Sequence, residues 1–340
     1  MKMRAFVIDG PNKHGLAEYE KPEIASDEVL MKTIANGICH SDYDLMAGKY
    51  ILPLHFPVIP GHEFCAEVVE VGADVTEFKP GDRVVGECNI GCGHCKVCAD
   101  IQGFCPDAVH FGFTYDGADA EYMKAKAGWL HKIPDSFDAK TGAMVETFSI
   151  AYKGIHEAGG VDASDTVLIY GGGSIGACAV AVAHSMGAYV IVVEPVAFKG
   201  EICKKMGADL IIDPMTENTD EVVRAHTDGF GADLVVECSG RPAVQAETFT
   251  TVKNGGRVCF IGISFDEISV PLGLFQKKGI RAIGSNGSPG VWDRCIKFIQ
   301  QAKLDFSPIV THTFTFDQIE EAFAFVKDPK NNAVKAVIMF

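Results

Sequence analysis

The chain has 340 residues, of which 47% are hydrophobic and 22% are charged, as in an ordinary globular protein with room for two domains. Its formal net charge of -15, with no run of Lys and Arg, argues against nucleic acid as a partner, because polyanions are repelled. The longest apolar stretch, residues 177–193, is interrupted by His184, Ser185 and Gly187 and is shorter than the roughly 20 residues of a membrane span, so we expect no membrane partner.

The N-terminus and the cysteines indicate the compartment. The opening residues, MKMRAFVIDG, turn polar before an apolar signal region can form, which argues against export. Four of the 12 cysteines lie close together, and the others stand singly in apolar stretches, as Cys178 and Cys203 do. This is not the pattern of a disulfide framework, so we expect a cytoplasmic protein.

The first 150 residues predict a mostly antiparallel β domain. Short strands are expected at 66–72 and 82–87, with a turn at 79–82 and many glycines. Three segments carry residues that bind metal ions: Cys39 in GICHSD, His62 and Glu63 in PGHEF, and Glu146 in AMVETFSIAY. One such residue alone is usually structural or exposed. A thiolate, an imidazole and carboxylates in separate segments indicate an open metal site.

Between Glu63 and Glu146 lies GCGHCKVCADIQGFC, with cysteines at metal-binding spacing: Cys92, Cys95, Cys98 and Cys105. Four thiolates at this spacing close a tetrahedral shell, the arrangement of a structural zinc site. Cys88 offers a fifth thiol nearby, and we interpret it as a buried strand residue. We therefore predict a structural zinc lobe at residues 88–108.

From about Ser164 short apolar runs alternate with amphipathic segments. Strands are expected at 166–170, 189–194, 209–212, 234–238 and 257–261, with helices from about Ser174, through Cys203, near Glu221 and from Pro242. Near-continuous Val, Ile and Leu strands separated by helices predict a parallel sheet covered on both faces. The predicted fold class is α/β: a doubly wound parallel-sheet domain beside a mostly antiparallel β domain.

The segment TVLIYGGGSIGACAV predicts a dinucleotide-binding turn. Gly171, Gly173 and Gly176 have G-x-G-x-x-G spacing directly after a strand and at the start of a helix. Glycine permits the tight turn and close approach to a pyrophosphate, which the free N–H groups of the turn, including Ser174 and Ile175, would bind. The spacing alone is a weak signal in a chain with 36 glycines, but its position after a strand strengthens it.

The strand that follows this turn predicts the cofactor. It ends in Glu194, 18 residues after Gly176, where an acidic side chain binds both ribose hydroxyls and repels a 2'-phosphate. We therefore predict NAD over NADP. Lys199, five residues further on, could meet a phosphate, although a solvated helix lysine is the favoured interpretation.

After about Ser285 the chain predicts a helix at 291–302 and then a strand, a helix and a strand ending in AVKAVIMF. This segment is too short to stand alone, so we expect it to pack on the amino-terminal domain. The predicted division is a first domain at 1–148 and 286–340 and a dinucleotide-binding domain at 149–285.

Taken in order, these motifs resemble the zinc-dependent medium-chain dehydrogenases of the alcohol, polyol and threonine dehydrogenase superfamily. The resemblance runs through nearly all 340 residues, from GICHSD and GHE through the four cysteines to VET and GGGSIG. It implies a GroES-like catalytic domain, a Rossmann domain that binds NAD, and two zinc ions per chain, one catalytic and one structural. Alcohol-type enzymes usually have Cys at the Glu146 position, so the chain resembles the polyol and threonine branch.

The resemblance also implies roles for the candidate ligands. Cys39 and His62 would hold the catalytic zinc together with an acidic third ligand. That ligand is Glu63, Glu146, or each in turn as the metal moves. Because Glu63 would take part when the metal moves, we also count it among the predicted catalytic residues.

A proton relay is implied in the same way. Ser41 matches the family's relay hydroxyl, and its alternative interpretation is a turn serine bonded to its own backbone. Asp44 stands where the relay often ends in His, and we hypothesise that it receives or passes on the proton.

The sequence thus predicts hydride transfer between NAD and a secondary alcohol of a small polyol, polyol phosphate or amino-alcohol, giving a ketone. One alternative is action on a primary alcohol or aldehyde on the same fold. A second is a non-catalytic NAD-binding protein whose zinc is only structural. The resemblance implies a homodimer or homotetramer formed through the nucleotide domain, with the strand near 257–263 as the candidate edge strand at the interface.

Overall fold

A computed structural model describes residues 1–50, 54–100, 105–270 and 272–340. Over these residues the chain divides into two compact units, of which one comprises Met1–Glu146 with Gly287–Phe340 and the other Thr147–Asn286. The division expected from the sequence lies at 148/149 and 285/286. No helix among the described residues is long and apolar enough to cross a membrane.

The amino-terminal part of the first unit is built mainly from strands. These are β1 (Lys2–Gly10), β2 (Lys13–Glu20), β3 (Glu28–Gly37), β4 (Glu63–Val71), β5 (Arg83–Gly86), β6 (Asn89–Ile90), β7 (Val109–His110), β8 (Tyr122–Lys126) and β9 (Leu130–Lys132). The helices are α1 (His40–Met46), α2 (Lys96–Asp100) and α3 (Ala139–Glu157), which crosses into the second unit. In β8, Met123 and Ala125 are buried whereas Lys126 is exposed, the alternation of a strand with one face on a core.

The second unit alternates strands and helices. Its elements are β10 (Thr166–Tyr170), α4 (Ser174–Ser185), β11 (Tyr189–Val193), α5 (Ala197–Lys205), β12 (Leu210–Ile212), α6 (Thr219–Ala225), β13 (Ala232–Glu237), α7 (Pro242–Thr251), β14 (Val252–Phe260), α8 (Leu272–Lys278) and β15 (Arg281–Gly284). The six strands pair in parallel in the order β12-β11-β10-β13-β14-β15. Counted along the unit this order is 3-2-1-4-5-6, that of a dinucleotide-binding fold. Val167, Leu168 and Ile169 in the central β10 are fully buried.

One expectation about this sheet is wrong. The sequence places its edge near residues 257–263, but β14 pairs with β13 on one side and with β15 on the other. Residues 281–284 read RAIG, which is too short and too polar for the apolar-run signal used to find strands. The edge of the described sheet is therefore Arg281–Gly284.

The first unit is completed by α9 (Trp292–Ala302), β16 (Val310–Thr315), α10 (Ile319–Lys327) and β17 (Lys335–Met339). β17 pairs antiparallel with β3 and parallel with β16. The resulting sheet has the order β16-β17-β3-β4-β5-β9, with β8 also paired to β3. Its pairs are otherwise antiparallel, so the predicted α/β fold class, with one mostly antiparallel and one parallel domain, is confirmed.

Two of the apolar clusters of the first unit include residues of β3 and β4 or of the segments beside them. One includes Met31 of β3 and Phe64 of β4. The other includes Ile38, Cys88 and Phe113, and the partly buried Tyr50 packs against it. The end of β3 and the start of β4 are therefore flanked by buried apolar side chains.

His131 joins β9 to the start of α9. Its Nε2 lies 3.1 Å from Glu87 Oε1 and its Nδ1 lies 2.8 Å from Asp293 Oδ1, while its ring stacks on Trp292. Burial alone would lower the pKa of His131, but the hydrogen bonds to Glu87 and Asp293 outweigh burial and raise it.

We expect His131→Gln to destabilise the protein in a pH-dependent way. Because the folded pKa of His131 is raised, its stabilising contribution is complete below the unfolded value of about 6.5 and is lost as pH rises through the folded pKa. The loss of unfolding free energy should be about 1 kcal/mol larger at pH 6 than at pH 9, as measured by denaturant titration. His55→Gln, at an exposed position, is the control. An equal loss at both pH values would contradict this account.

Candidate functional site

The predicted metal ligands of the first unit come together because two strands pair. β3 and β4 are antiparallel, and Gly37 at the end of β3 lies opposite Glu63 at the start of β4. Cys39 follows β3 by two residues and His62 directly precedes β4, so the pairing brings them side by side. One ligand atom from each of Cys39, His62 and Glu63 lies within 4.8 Å of the others. These three residues are called the metal centre below.

The surroundings of His62 favour a positive charge. Burial alone would lower the pKa of this side chain, which is 4% exposed, but Cys88, Cys39 and Asp42 raise it well above its ordinary value. A divalent cation would satisfy the same acidic surroundings in place of the proton. Sulfur, nitrogen and oxygen donors suit zinc, so the residues of the metal centre fit this ion.

Asp42 belongs to this arrangement, although it is not among the residues predicted from the sequence. Its Oδ2 accepts a hydrogen bond from the Cys39 backbone N–H at 2.9 Å, and its Oδ1 lies 3.5 Å from His62 Nδ1. A carboxylate behind a ligating imidazole orients the ring and raises its basicity. The signal in the sequence is an acidic residue three positions after Cys39, the N-cap residue of α1, which is the spacing of a capping box.

Glu63 is paired with a cation that the sequence analysis also missed. Lys335 Nζ donates hydrogen bonds to Glu63 Oε1 at 2.7 Å, to Glu63 Oε2 at 2.5 Å and to the Ile38 carbonyl at 3.2 Å. Gly37 leaves room for this carboxylate, because a Cβ at that position would collide with Glu63 Oε2. Lys335 stands as a lone charge in an otherwise apolar strand, KAVIM, a pattern that indicates a buried partner.

Glu146 lies close to the metal centre but outside the group whose atoms are within 4.8 Å of one another. It is buried, and its pKa is raised to about 7, chiefly by burial and also by Glu63, against the opposing effects of His62 and Lys335. A cation bound at the metal centre would favour the carboxylate form of Glu146. The sequence did not decide whether Glu63 or Glu146 is the acidic third ligand. Both lie in this region, and Glu63 is the one within 4.8 Å of both Cys39 and His62.

The two predicted relay residues lie on α1. Ser41 is half-buried, and its Oγ donates a hydrogen bond to Cys39 Sγ at 3.1 Å. Asp44 is exposed to solvent. The hydroxyl of Ser41 is thus beside a metal-centre sulfur, and the carboxylate of Asp44 is at the surface of the same helix.

The four clustered cysteines form a second group in the first unit. Their sulfur atoms lie within 4.8 Å of one another, with 3.8 Å between Cys92 and Cys98 and between Cys95 and Cys105. Tetrahedral zinc with Zn–S bonds of about 2.3 Å separates its sulfur ligands by about 3.8 Å, so the group fits this ion. Cys88, expected in a strand, is buried but lies in the bend before β6, near His62 and Cys39.

In the second unit the glycine-rich turn joins β10 to α4 as predicted. Gly171 has φ of 93°, which only glycine adopts readily, and a Cβ at Gly176 would collide with the Gly171 carbonyl. Gly173 caps α4, whose first residues are Ser174 and Ile175, and the space at its missing Cβ is open. The backbone can therefore approach a ligand closely at the start of the helix.

Glu194 organises this turn. Its Oε2 accepts a hydrogen bond from the Gly172 N–H at 2.7 Å and its Oε1 accepts one from the Val196 N–H at 2.9 Å. The carboxylate is therefore fixed at the end of β11, next to the glycine-rich turn. Lys199, the other residue weighed for this site, is half-buried on α5.

Comparison with known proteins identifies the family of the chain. The model of the alcohol dehydrogenase GroES-like domain matches residues 25–135, and that of the zinc-binding dehydrogenases matches residues 174–301. The L-threonine 3-dehydrogenase of Pyrococcus abyssi (strain GE5 / Orsay) is 35% identical over 330 residues, 94% of this chain and 93% of that protein. The D-arabitol-phosphate dehydrogenase of Enterococcus avium is 31% identical over 336 residues, 97% of this chain and 94% of that protein.

A solved structure agrees over the full length. The protein from Sinorhizobium meliloti 1021, described as a zinc-binding dehydrogenase bound to NADP, has a TM-score of 0.94 and 28% identity, covering 100% of both chains. Fold and sites together define an alcohol dehydrogenase-like enzyme. The chain belongs to the zinc-binding dehydrogenase family. The predicted family and dehydrogenase activity are confirmed, and the predicted cofactors, NAD and zinc, agree with them.

We expect Cys95→Ser to remove about one zinc ion per chain and to lower the melting temperature by about 5 °C or more, because four-thiolate zinc contributes directly to folding stability. Zinc content by atomic emission and melting by calorimetry measure the two effects. Cys238→Ser, a half-buried cysteine of the second unit, is the control and should retain full zinc content. Unchanged zinc content in Cys95→Ser would refute a structural zinc at these cysteines.

Proposed function

We propose that this chain oxidises a secondary alcohol of a small polyol, polyol phosphate or amino-alcohol to a ketone, with NAD as the hydride acceptor. The observation that carries the proposal is the approach of Cys39, His62 and Glu63 to within 4.8 Å of one another. Relatives named as D-arabitol-phosphate and L-threonine 3-dehydrogenases support the substrate class. An acidic residue at position 146, where alcohol-type enzymes usually have Cys, favours this class over primary alcohols and aldehydes.

The proposed catalytic zinc is held by Cys39 and His62 with Glu63 or Glu146 as the acidic third ligand, and the proposed structural zinc by the four clustered cysteines. When bound, the catalytic zinc supplies a Lewis acid that lowers the pKa of the substrate hydroxyl, and NAD supplies the hydride acceptor. The chain's own residues then have to hold the ligand geometry and remove one proton.

Three side chains around the metal centre support these roles. Asp42 faces Nδ1 of His62 and fixes the ring, which leaves Nε2 for the metal. Lys335 balances the charge of Glu63 where two carboxylates and a thiolate would otherwise crowd one buried region. Ser41, with its Oγ 3.1 Å from Cys39 Sγ, is placed to take the substrate proton, and Asp44 on the same helix would release it to solvent.

The proposed preference for NAD rests on Glu194. Its carboxylate is held at the end of β11 by two backbone N–H groups, so it cannot readily turn away from an approaching ribose. A fixed negative charge at that point accepts hydrogen bonds from two ribose hydroxyls and repels a 2'-phosphate. Lys199 is the cation that would weaken this repulsion if it reached the same position.

We also propose a homodimer or homotetramer in the cytoplasm. Strand β15 is one of the two edge strands of the described parallel sheet, the other being β12, and Arg281, Ala282 and Gly284 are exposed. Nearby in sequence, Phe265 and Leu272 are 82% and 73% exposed. Pairing of two copies along this edge would cover the strand. Reduced thiols in the described cysteines suit a reducing compartment.

The function is tested by initial rates of NAD reduction with xylitol, D-sorbitol, D-arabitol 5-phosphate, L-threonine and ethanol. We expect a secondary alcohol to be oxidised faster than ethanol, and Cys39→Ser to lower kcat/KM about 10³-fold while removing about one of two zinc ions. Cys65→Ser, a buried cysteine of β4, is the control. Two results would contradict the proposal: no activity on any substrate, or full activity in Cys39→Ser.

We expect Glu194→Gln to shift cofactor preference toward NADP. The substitution keeps the shape of the side chain and removes the charge that repels a 2'-phosphate, so the ratio of kcat/KM for NADP to that for NAD should rise about tenfold or more. Glu201→Gln, at an exposed position on α5, is the control for surface charge. An unchanged ratio would show that Glu194 does not select the cofactor.

A further inference from the structure

A tyrosine and a histidine beside the metal centre form a hydrogen-bonded pair that the mechanism above does not use. Tyr50 Oη lies 2.9 Å from His110 Nδ1. The Tyr50 ring stacks on the Phe113 ring with 4.2 Å between centroids and an interplanar angle of 7°. The Phe113 ring in turn lies 5.1 Å from the ring of His62. A continuous row of rings therefore connects the pair to a metal-centre ligand.

The polar end of Tyr50 faces the same region. Burial raises the pKa of Tyr50, and the ionisable groups that also influence this phenol are those of Cys88, His62, Cys39 and Asp42. These are the metal centre and the residues around it. Tyr50 is half-buried, whereas His110 and Phe113 are 3% and 1% exposed.

The pair is rigid and uncharged. The His110 backbone N–H donates to Thr114 Oγ1 at 2.9 Å, and the His110 carbonyl accepts hydrogen bonds from the backbone N–H groups of Phe113 and Thr114, which fixes the turn. Burial lowers the pKa of His110 to about 4, so its imidazole is neutral at neutral pH. A neutral imidazole and a phenol share one proton along their hydrogen bond, so the phenol can accept from or donate to a further hydroxyl.

We propose that Tyr50 and His110 bind a second hydroxyl group of the substrate, on a carbon near the one that is oxidised. This inference rests on the proposed function and narrows its substrate class to alcohols that carry a second hydroxyl group at this position. A mono-alcohol would leave the pair's hydrogen-bonding capacity unused in a largely buried place.

The test compares 2,3-butanediol with 2-butanol, which share a carbon skeleton and differ by one hydroxyl. The measured quantity is the ratio of kcat/KM for the diol to that for the mono-alcohol. Tyr50→Phe keeps the stack on Phe113 and removes only the hydroxyl, so we expect this ratio to fall about 10- to 100-fold. His110→Gln, which removes the imidazole that orients the phenol, should lower the same ratio.

Tyr43→Phe is the matched control. It deletes a hydroxyl that donates to the Phe323 carbonyl at 2.8 Å, and it should leave the ratio within about twofold of wild type. An unchanged ratio in both Tyr50→Phe and His110→Gln, with the enzyme active, would overturn the pair's role and leave the proposed function standing. A wild-type enzyme that oxidises no alcohol with NAD would instead overturn the proposed function and this inference with it.

Discussion

The buried ion pair between Lys335 and Glu63 holds three strands of the first unit in one arrangement. Lys335 begins β17, Glu63 begins β4, and Ile38, whose carbonyl also accepts from Lys335, follows β3. Both side chains are almost wholly buried, and removing one partner from such a pair costs about 3–5 kcal/mol because the other charge is left uncompensated. The strand ends must therefore meet at the place where Cys39 and His62 lie. The metal centre depends on this constraint.

Acidic side chains have a similar role at the carboxyl edge of the parallel sheet. Glu194 at the end of β11 accepts two backbone N–H groups, and Glu237 at the end of β13 accepts hydrogen bonds from the backbone N–H and hydroxyl of Ser239. In open parallel sheets ligands bind beyond this edge, where loops would otherwise be free to move. Each carboxylate binds a backbone N–H group of the loop that follows its strand. The loops at this edge of the sheet are therefore held by side chains of the sheet itself.

Most of the strands and candidate sites described above were predicted from patterns that span only a few residues of the chain. The run TVLIY coincides with β10, the glycines that follow form the expected turn, and the four cysteines approach at metal-ligand distance, since each signal lies within a few residues. The strand Arg281–Gly284 was missed because four mixed residues become a strand only through pairing with β14. Lys335 and the Tyr50–His110 pair were missed for a related reason: their partners are 272 and 60 residues away. No periodicity or spacing rule connects positions so far apart.

Along the sequence, the first unit consists of one segment before the second unit and one segment after it. Its sheet can therefore be completed only late in synthesis. Thr147–Asn286 can close its sheet from one contiguous stretch as it leaves the ribosome, whereas β3 meets β17 only after some 300 residues have been synthesised. Contacts of such long range form slowly. During synthesis all strands of the second unit are thus available before β17, and Lys335 can reach Glu63 only when the last residues of the chain have been made.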